Sequence, residues 1–400
     1  MRFIHALLGA AIVLASTAHA QQAKPIRIGV LSDMNSFTAA IAGPGSVLAA
    51  NMAADDFGRK VGNRAIEIVS ADHQNKADVG SAIARKWFEA DGVDVIVDLP
   101  NSSVALAVQE IARNANRVVL HTAAGTSALT GKSCSPNGIQ WARDSYALAQ
   151  GIGSAIVKDG GDSWFFVTAD YAFGAATEGD VSKVVAANKG KVLGSVKHPP
   201  NNGDFASHLM QAQSSKAKVI AVANAGSDTI NVVKQAAEFG IGKGDQRLAA
   251  MSIFLTDVHS LGLPAAQGIL LLDVSYWDQN DAMRKWSQRF FEKHQRMPTA
   301  VQADVYSGVT HYLKALSRGA DPADGAAVVR QMKSIPVADP MVPAGKIRED
   351  GKLVRDMYLY QVKTPAESKG PWDYYKVVQK VPGEQLVIPL AESQCALVKK

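Results

Sequence analysis

The sequence predicts an α/β protein of two doubly wound lobes, each a parallel sheet flanked by helices. Three observations carry this prediction. Short β-branched runs alternate with amphipathic segments in two successive sets of similar rhythm. At 400 residues the chain is too long for one core. Its 47% hydrophobic, 20% charged composition is that of a chain that buries a sizeable interior.

The elements follow in order. At the N-terminus Arg2 supplies one early charge, residues 6–15 are apolar, and Ala18-His19-Ala20 has the small-x-small pattern of a signal-peptidase site. Residues 1–20 are therefore expected to be a signal peptide, with a mature periplasmic chain starting at Gln21. A retained anchor is the alternative, but the apolar run falls short of the about 20 residues that a membrane span needs. Residues 27–32, 65–71, 93–99 and 117–121 read as strands, and 45–59, 76–90 and 102–114 between them as helices. A second set places strands at 163–168, 191–196, 218–223 and 248–253, with helices at 175–188, 204–214 and 228–239. After a strand at 268–274, three helices at 281–294, 299–318 and 323–332 have no strands between them, so they are expected to return and cover the first unit. Residues 363–372, with Pro365 and Pro371, read as a loop.

Several function classes are disfavoured. The charge of +5 is spread over 42 basic and 37 acidic residues with no basic run, so nucleic acid is not an expected partner. The stretch Gly125 to Gly131-Lys132-Ser133 has five residues between its glycines where a phosphate loop has four. No Gly-x-Ser-x-Gly or His-Glu-x-x-His motif occurs, so no enzyme, metal or cofactor is expected. Cys134 and Cys395, in an exported chain, are expected to pair, two free thiols being the alternative.

The segments Ile26-Arg-Ile-Gly-Val-Leu-Ser32, Gly43-Pro-Gly45 leading into Ala49-Ala-Asn-Met-Ala-Ala-Asp55, Leu99-Pro-Asn-Ser-Ser103, His121-Thr-Ala-Ala-Gly-Thr-Ser-Ala-Leu-Thr130 and Thr168-Ala-Asp-Tyr-Ala-Phe-Gly174 occur in a telling order and spacing. They resemble the type I periplasmic binding proteins of ABC importers, within the branched-chain amino-acid (Leu/Ile/Val) binding group and its branch for plant-derived aromatic acids. The resemblance implies a Venus flytrap whose lobes are joined by a three-segment hinge, crossing near Arg143, Tyr276 and Lys352. Residues 21–143 with 276–352 would form the first lobe and 144–275 with 353–400 the second. It also implies a monomer that delivers its ligand to an inner-membrane ABC permease and does no covalent chemistry.

In doubly wound sheets ligands bind beyond the carboxyl ends of the strands, where helix N-termini offer free N–H groups. Ser102 and Ser103 fall there, and the resemblance gives a serine at this point to the ligand carboxylate; capping of the helix is the alternative reading. Ala123 would offer backbone groups, and His121 a donor or merely a core side chain. The departures from the amino-acid binders concern the ligand ammonium. Its tyrosine partner falls in Asn224-Ala-Gly-Ser227, its glutamate near Ile253-Phe254, its threonine at Gly125, and an aspartate at the first crossing is displaced by Tyr146. A buried ammonium without a carboxylate costs several kcal/mol, so the pocket suits a carboxylate without an α-amine. Asp228 and Asp257 would contact a ligand hydroxyl or cap helices. Tyr146, Tyr171, Phe173 and Phe254 would wall an aromatic slot. The expected ligand is a small carboxylate of benzoate or hydroxycinnamate type. A branched-chain or other amino acid, or a sensing module that reports to a receptor, are the alternatives.

Overall fold

A computed structural model describes residues 24–242 and 244–399; the expected signal peptide lies outside them. The first lobe is built on β1 (Ile26–Ser32), β2 (Lys60–Val61), β3 (Arg64–Asp72), β4 (Val95–Asp98), β5 (Val118–His121) and β6 (Gly138–Gln140), in the order β2-β3-β1-β4-β5-β6. All neighbours are parallel except the β2–β3 hairpin. The central strands are apolar on both faces because both faces are covered. Helices Ala77–Glu89 and Ser102–Asn114 pack on one. Helix Gly43–Asp56 and the three late helices Asp281–His294, Ala300–Ser317 and Gly325–Ser334 share the core on the other.

The second lobe repeats the plan with β7 (Ser163–Ala169), β8 (Lys191–His198), β9 (Val219–Ala223) and β10 (Arg247–Ala250), all parallel in the order β10-β9-β7-β8. The next strand, β11 (Leu270–Asp273), does not extend this sheet. After the small hairpin of β12 (Lys346–Ile347) and β13 (Leu353–Val354), the chain adds β14 (Met357–Val362) and β15 (Tyr375–Val381), antiparallel in the order β11-β14-β15. The residues 145–158 are helical, with a π-helical segment Ala149–Gly153 between two α-helical pieces. Gly151 sits there because a Cβ would lie 2.9 Å from the Leu272 side chain. No helix among the described residues is long and apolar enough to cross a membrane.

Where the chain passes between the lobes, buried cations tie the passages together. Lys352 Nζ lies 2.8 Å from Asp144 Oδ2 and donates to Ala142 O at 2.8 Å. Arg355 Nη2 reaches both oxygens of Asp304, at 2.5 and 2.7 Å, and Trp141 O. Arg143 Nε donates to Leu272 O at 2.8 Å. A disulfide joins Cys134 to Cys395. The tail thus runs from the second lobe's core at Leu386 back to the first lobe, past an Arg348 Nη1 bond to Ile388 O. Part of the segment assigned above to the second lobe is covalently held by the first.

Candidate functional site

The carboxyl ends of both parallel sheets face one cleft, and local backbone chemistry decides what enters it. After β1, the Asp33 carboxylate accepts hydrogen bonds from Ser36 N (2.8 Å), Thr38 N (2.9 Å) and Thr38 Oγ1 (2.7 Å), folding a turn that presents Phe37 and Thr38. Burial alone would raise the Asp33 pKa; these bonds and one from Asn75 outweigh it and hold the group below the ordinary carboxylate value. After β4, Asp98 and Leu99 take φ of 86° and 64°, turning Pro100 towards the cleft. Asn101 then caps helix Ser102–Asn114, accepting from Ser103 N (2.9 Å) and Val104 N (3.3 Å). From the second lobe, Tyr171 and Phe173 open helix Ala172–Ala187 after β7, and Phe254 precedes helix Leu255–Leu261.

Ala123, Gly125, Arg143, Tyr171, Phe173 and Phe254 line a single cavity between the lobes, together with Thr38 and Ser252. Its volume is about 20 Å³, room for about one water molecule, whereas a cavity that takes benzene is about 150 Å³. A ring therefore enters only when the lobes part or the aromatic walls turn. Contacts across the cleft hold the lobes together. Ala172 N donates to Ser103 Oγ (3.2 Å), Ser227 N donates to Phe37 O (3.0 Å), and the Phe37 and Tyr171 rings meet edge to face at 6.4 Å. Asp180 Oδ2 accepts from Ser127 Oγ (2.8 Å) and Ser145 Oγ (2.6 Å). Ser103→Ala removes one such bond, so ligand affinity is expected to fall roughly 3- to 10-fold by calorimetric titration, the equivalent of about 0.5–1.5 kcal/mol. A groove of about 700 Å³ lined by Ile241, Arg247, Pro264 and Ile269 belongs to the second lobe alone and receives nothing from the first.

The charge in the cavity is positive. The Arg143 guanidinium stands over the Phe254 ring, 4.5 Å from its centroid, a cation–π geometry. Its nearest carboxylate, Asp273, is 3.5 Å from Nε. Asp257 lies behind, its Oδ2 accepting from Phe254 N at 2.9 Å, and burial pushes its pKa up to about 7 against the pull of Arg143. The Phe173 ring would lie 2.8 Å from a Cβ at position 125, so it fills the space a threonine would need.

A family model described as periplasmic binding protein matches residues 25–371. The chain belongs to the periplasmic binding protein family. Among solved structures, a periplasmic binding protein from Burkholderia mallei is 48% identical, with 94% of this chain and 99% of that one covered and a TM-score of 0.92. A branched-chain amino-acid ABC transporter periplasmic ligand-binding protein from Burkholderia xenovorans LB400 is 38% identical, covering 94% and 100%, with a TM-score of 0.82. An ABC transporter solute-binding protein from R. palustris in complex with benzoate is 20% identical, covering 93% and 99%, with a TM-score of 0.81, a likeness of fold. No curated protein matches significantly.

In this binding protein the cleft gathers Ala123, Tyr171, Phe173 and Phe254 of the expected residues. The others lie around it. Ser102 is fully buried with no partner found for its hydroxyl among the described residues, and Ser103 meets the other lobe. Asn224 is buried, its Oδ1 accepting from Thr229 Oγ1 (2.8 Å). Asp228 accepts from Asn201 N (2.9 Å) and Asn202 N (2.8 Å), anchoring that loop, and burial pushes it up to about 6. Asp257 caps its own helix. Tyr146 is half-buried near Gln150 and Glu392, and burial raises its pKa. His121 is a core side chain 2.8 Å from Gln109 Oε1. Burial pushes it down to about 3, so it stays neutral in the folded state while an unfolded histidine protonates below about 6.5. Its contribution is complete above pH 6.5 and is lost as pH falls towards 3. A His121→Gln variant is expected to lose roughly 1–2 kcal/mol less stability than the parent between pH 7 and 5 in urea titrations. Arg143, Thr38 and Ser252 also line the cavity, beyond the residues expected from the sequence. Arg143 was legible only as a crossing point, and Thr38 and Ser252 carry no motif.

Proposed function

We propose that this chain is the solute-binding component of an ABC importer that captures a small aromatic carboxylate in the periplasm and delivers it to an inner-membrane permease. The observation that carries this reading is the composition of the interlobe cavity: three aromatic side chains, one guanidinium, and no carboxylate among its lining residues. Such a site attracts an anion with a flat apolar body. Ligand docked on one lobe gains the contacts of the other only on closure, so it shifts the population towards the closed form, which the permease recognises. The benzoate complex of the R. palustris protein, alike in fold, agrees with this chemistry.

A second reading, an amino-acid ligand, is favoured by the name of the 38% identical Burkholderia xenovorans protein. Physical chemistry opposes it here, because the positions expected to receive an ammonium hold the Phe254 ring under a guanidinium and the Phe173 ring against Gly125. A thermal-shift screen of the mature protein with benzoates, aliphatic acids and branched-chain amino acids tests the choice, since a native-state ligand raises the melting temperature with concentration. Stabilisation by benzoates is expected. Stabilisation by leucine or valine alone would establish the second reading.

A further inference from the structure

The cations buried where the chain passes between the lobes are not equivalent. Lys352 has Asp144 at 2.8 Å and Arg355 has Asp304 at 2.5 Å. Arg143 is a little less buried, its side chain 8% exposed, and its carboxylate, Asp273, stands off at 3.5 Å from Nε. Its Nε is used by Leu272 O, and its two terminal amino groups have no hydrogen-bond partner among the described residues. Asp273 offsets the charge on the Nε side, and the hydrogen-bonding capacity of the terminal amino groups is left for an anion from the cavity. Arg143 lines the cavity together with Phe254 and Gly125, and the fork of a guanidinium matches a carboxylate with two parallel N–H···O bonds.

We propose that Arg143 is the anchor of the ligand carboxylate, and that it reports the bound ligand to the hinge. This inference rests on the reading of the cleft as a carboxylate site. Arg143 belongs to the first passage between the lobes, and its Nε is bonded to Leu272 O, on the strand that leads into the second. An acid bound by the terminal amino groups thus touches neither lobe's rim but the junction about which the lobes turn. It completes the hydrogen bonding of the guanidinium there, and it leaves the ring to be covered by Tyr171 and Phe173 as the second lobe closes. Selectivity follows: a neutral amide of the same shape loses the charged bonds, and an ammonium near the site is repelled.

The test compares acid with amide in the mature protein and in Arg143→Gln and Arg143→Lys, by calorimetric titration with benzoate and benzamide, and with isovalerate and isovaleramide. The parent is expected to prefer the acid of the pair it binds by on the order of 100-fold. Arg143→Gln is expected to bring the acid down to the level of its amide, with a circular-dichroism spectrum unchanged from the parent showing that the fold is intact. Arg143→Lys, keeping charge without the fork, is expected to fall between them and carries the test if the glutamine variant fails to fold. Acid binding by Arg143→Gln within about threefold of the parent, or a parent that binds amides as tightly as acids, would overturn the inference. Preference for isovalerate over benzoate would instead remove the aromatic ligand and leave the role of Arg143 standing.

Discussion

Gly226→Ala is expected to weaken ligand binding by on the order of 100-fold while each lobe keeps its fold. Gly226 sits at φ +62° immediately before helix Ser227–Glu238 of the second lobe, a backbone conformation natural only to glycine. A Cβ there would fall 2.0 Å from the Phe37 carbonyl oxygen of the first lobe. Backbone meets backbone at that point, so no side chain can swing aside, and the neighbouring Ser227 N–H bond to Phe37 O is lost with it. The clash exists only when the lobes are together. A penalty of about 3 kcal/mol on the closed form lowers its population, and with it the apparent affinity, by roughly 150-fold. The strained φ itself should cost about 1–3 kcal/mol of stability. Titration of the parent and the variant with the same ligand measures the first effect; equal affinities would mean that closure does not bring these backbones together.

The largest loss of stability is expected from Asp304→Ala. Asp304 is buried on helix Ala300–Ser317 and is the carboxylate of Arg355, whose Nε and Nη1 already lack partners among the described residues. Removing it leaves a guanidinium uncompensated in the interior, which typically costs about 3–5 kcal/mol. The paired change Asp304→Leu with Arg355→Met should recover most of that loss, because burial of both charges is itself expensive. Urea unfolding of the parent, Asp304→Ala and the double variant separates the outcomes. A loss below about 1 kcal/mol for Asp304→Ala would show that the pair is solvated or dispensable.

The α/β rhythm was legible because the strands at the centres of both sheets, such as β4 and β9, are apolar on both faces and stand out as uninterrupted runs. The return of the three late helices to the first sheet followed from the lack of strands between them. The strand β15 was not legible, since four of its seven residues, Val377 and Val378 included, face solvent and leave no alternation to read. The helical stretch at 145–158 was not anticipated, since Gly151 and Gly153 interrupt its apolar run, although close packing requires the first. In the site, the aromatic residues that directly follow or precede a strand–helix turn, Tyr171, Phe173 and Phe254, could be placed from sequence, because a turn at the carboxyl end of a strand must face the cleft. Arg143 could not. Its role depends on Phe254 and Leu272, more than one hundred residues away, meeting it in space. The polar candidates Asn224 and Asp228 have the right chemistry for a ligand, and the structure turns it to holding neighbouring loops.

Calorimetric titration of the mature protein with benzoate and with leucine decides between an aromatic carboxylate and an α-amino acid as the ligand of the cleft. Saturable binding of benzoate is expected, with a negative heat-capacity change from burial of the ring, and no heat from leucine at matched concentrations. Saturable binding of leucine with none of benzoate would contradict this expectation and place an ammonium where the structure has Arg143 and Phe254.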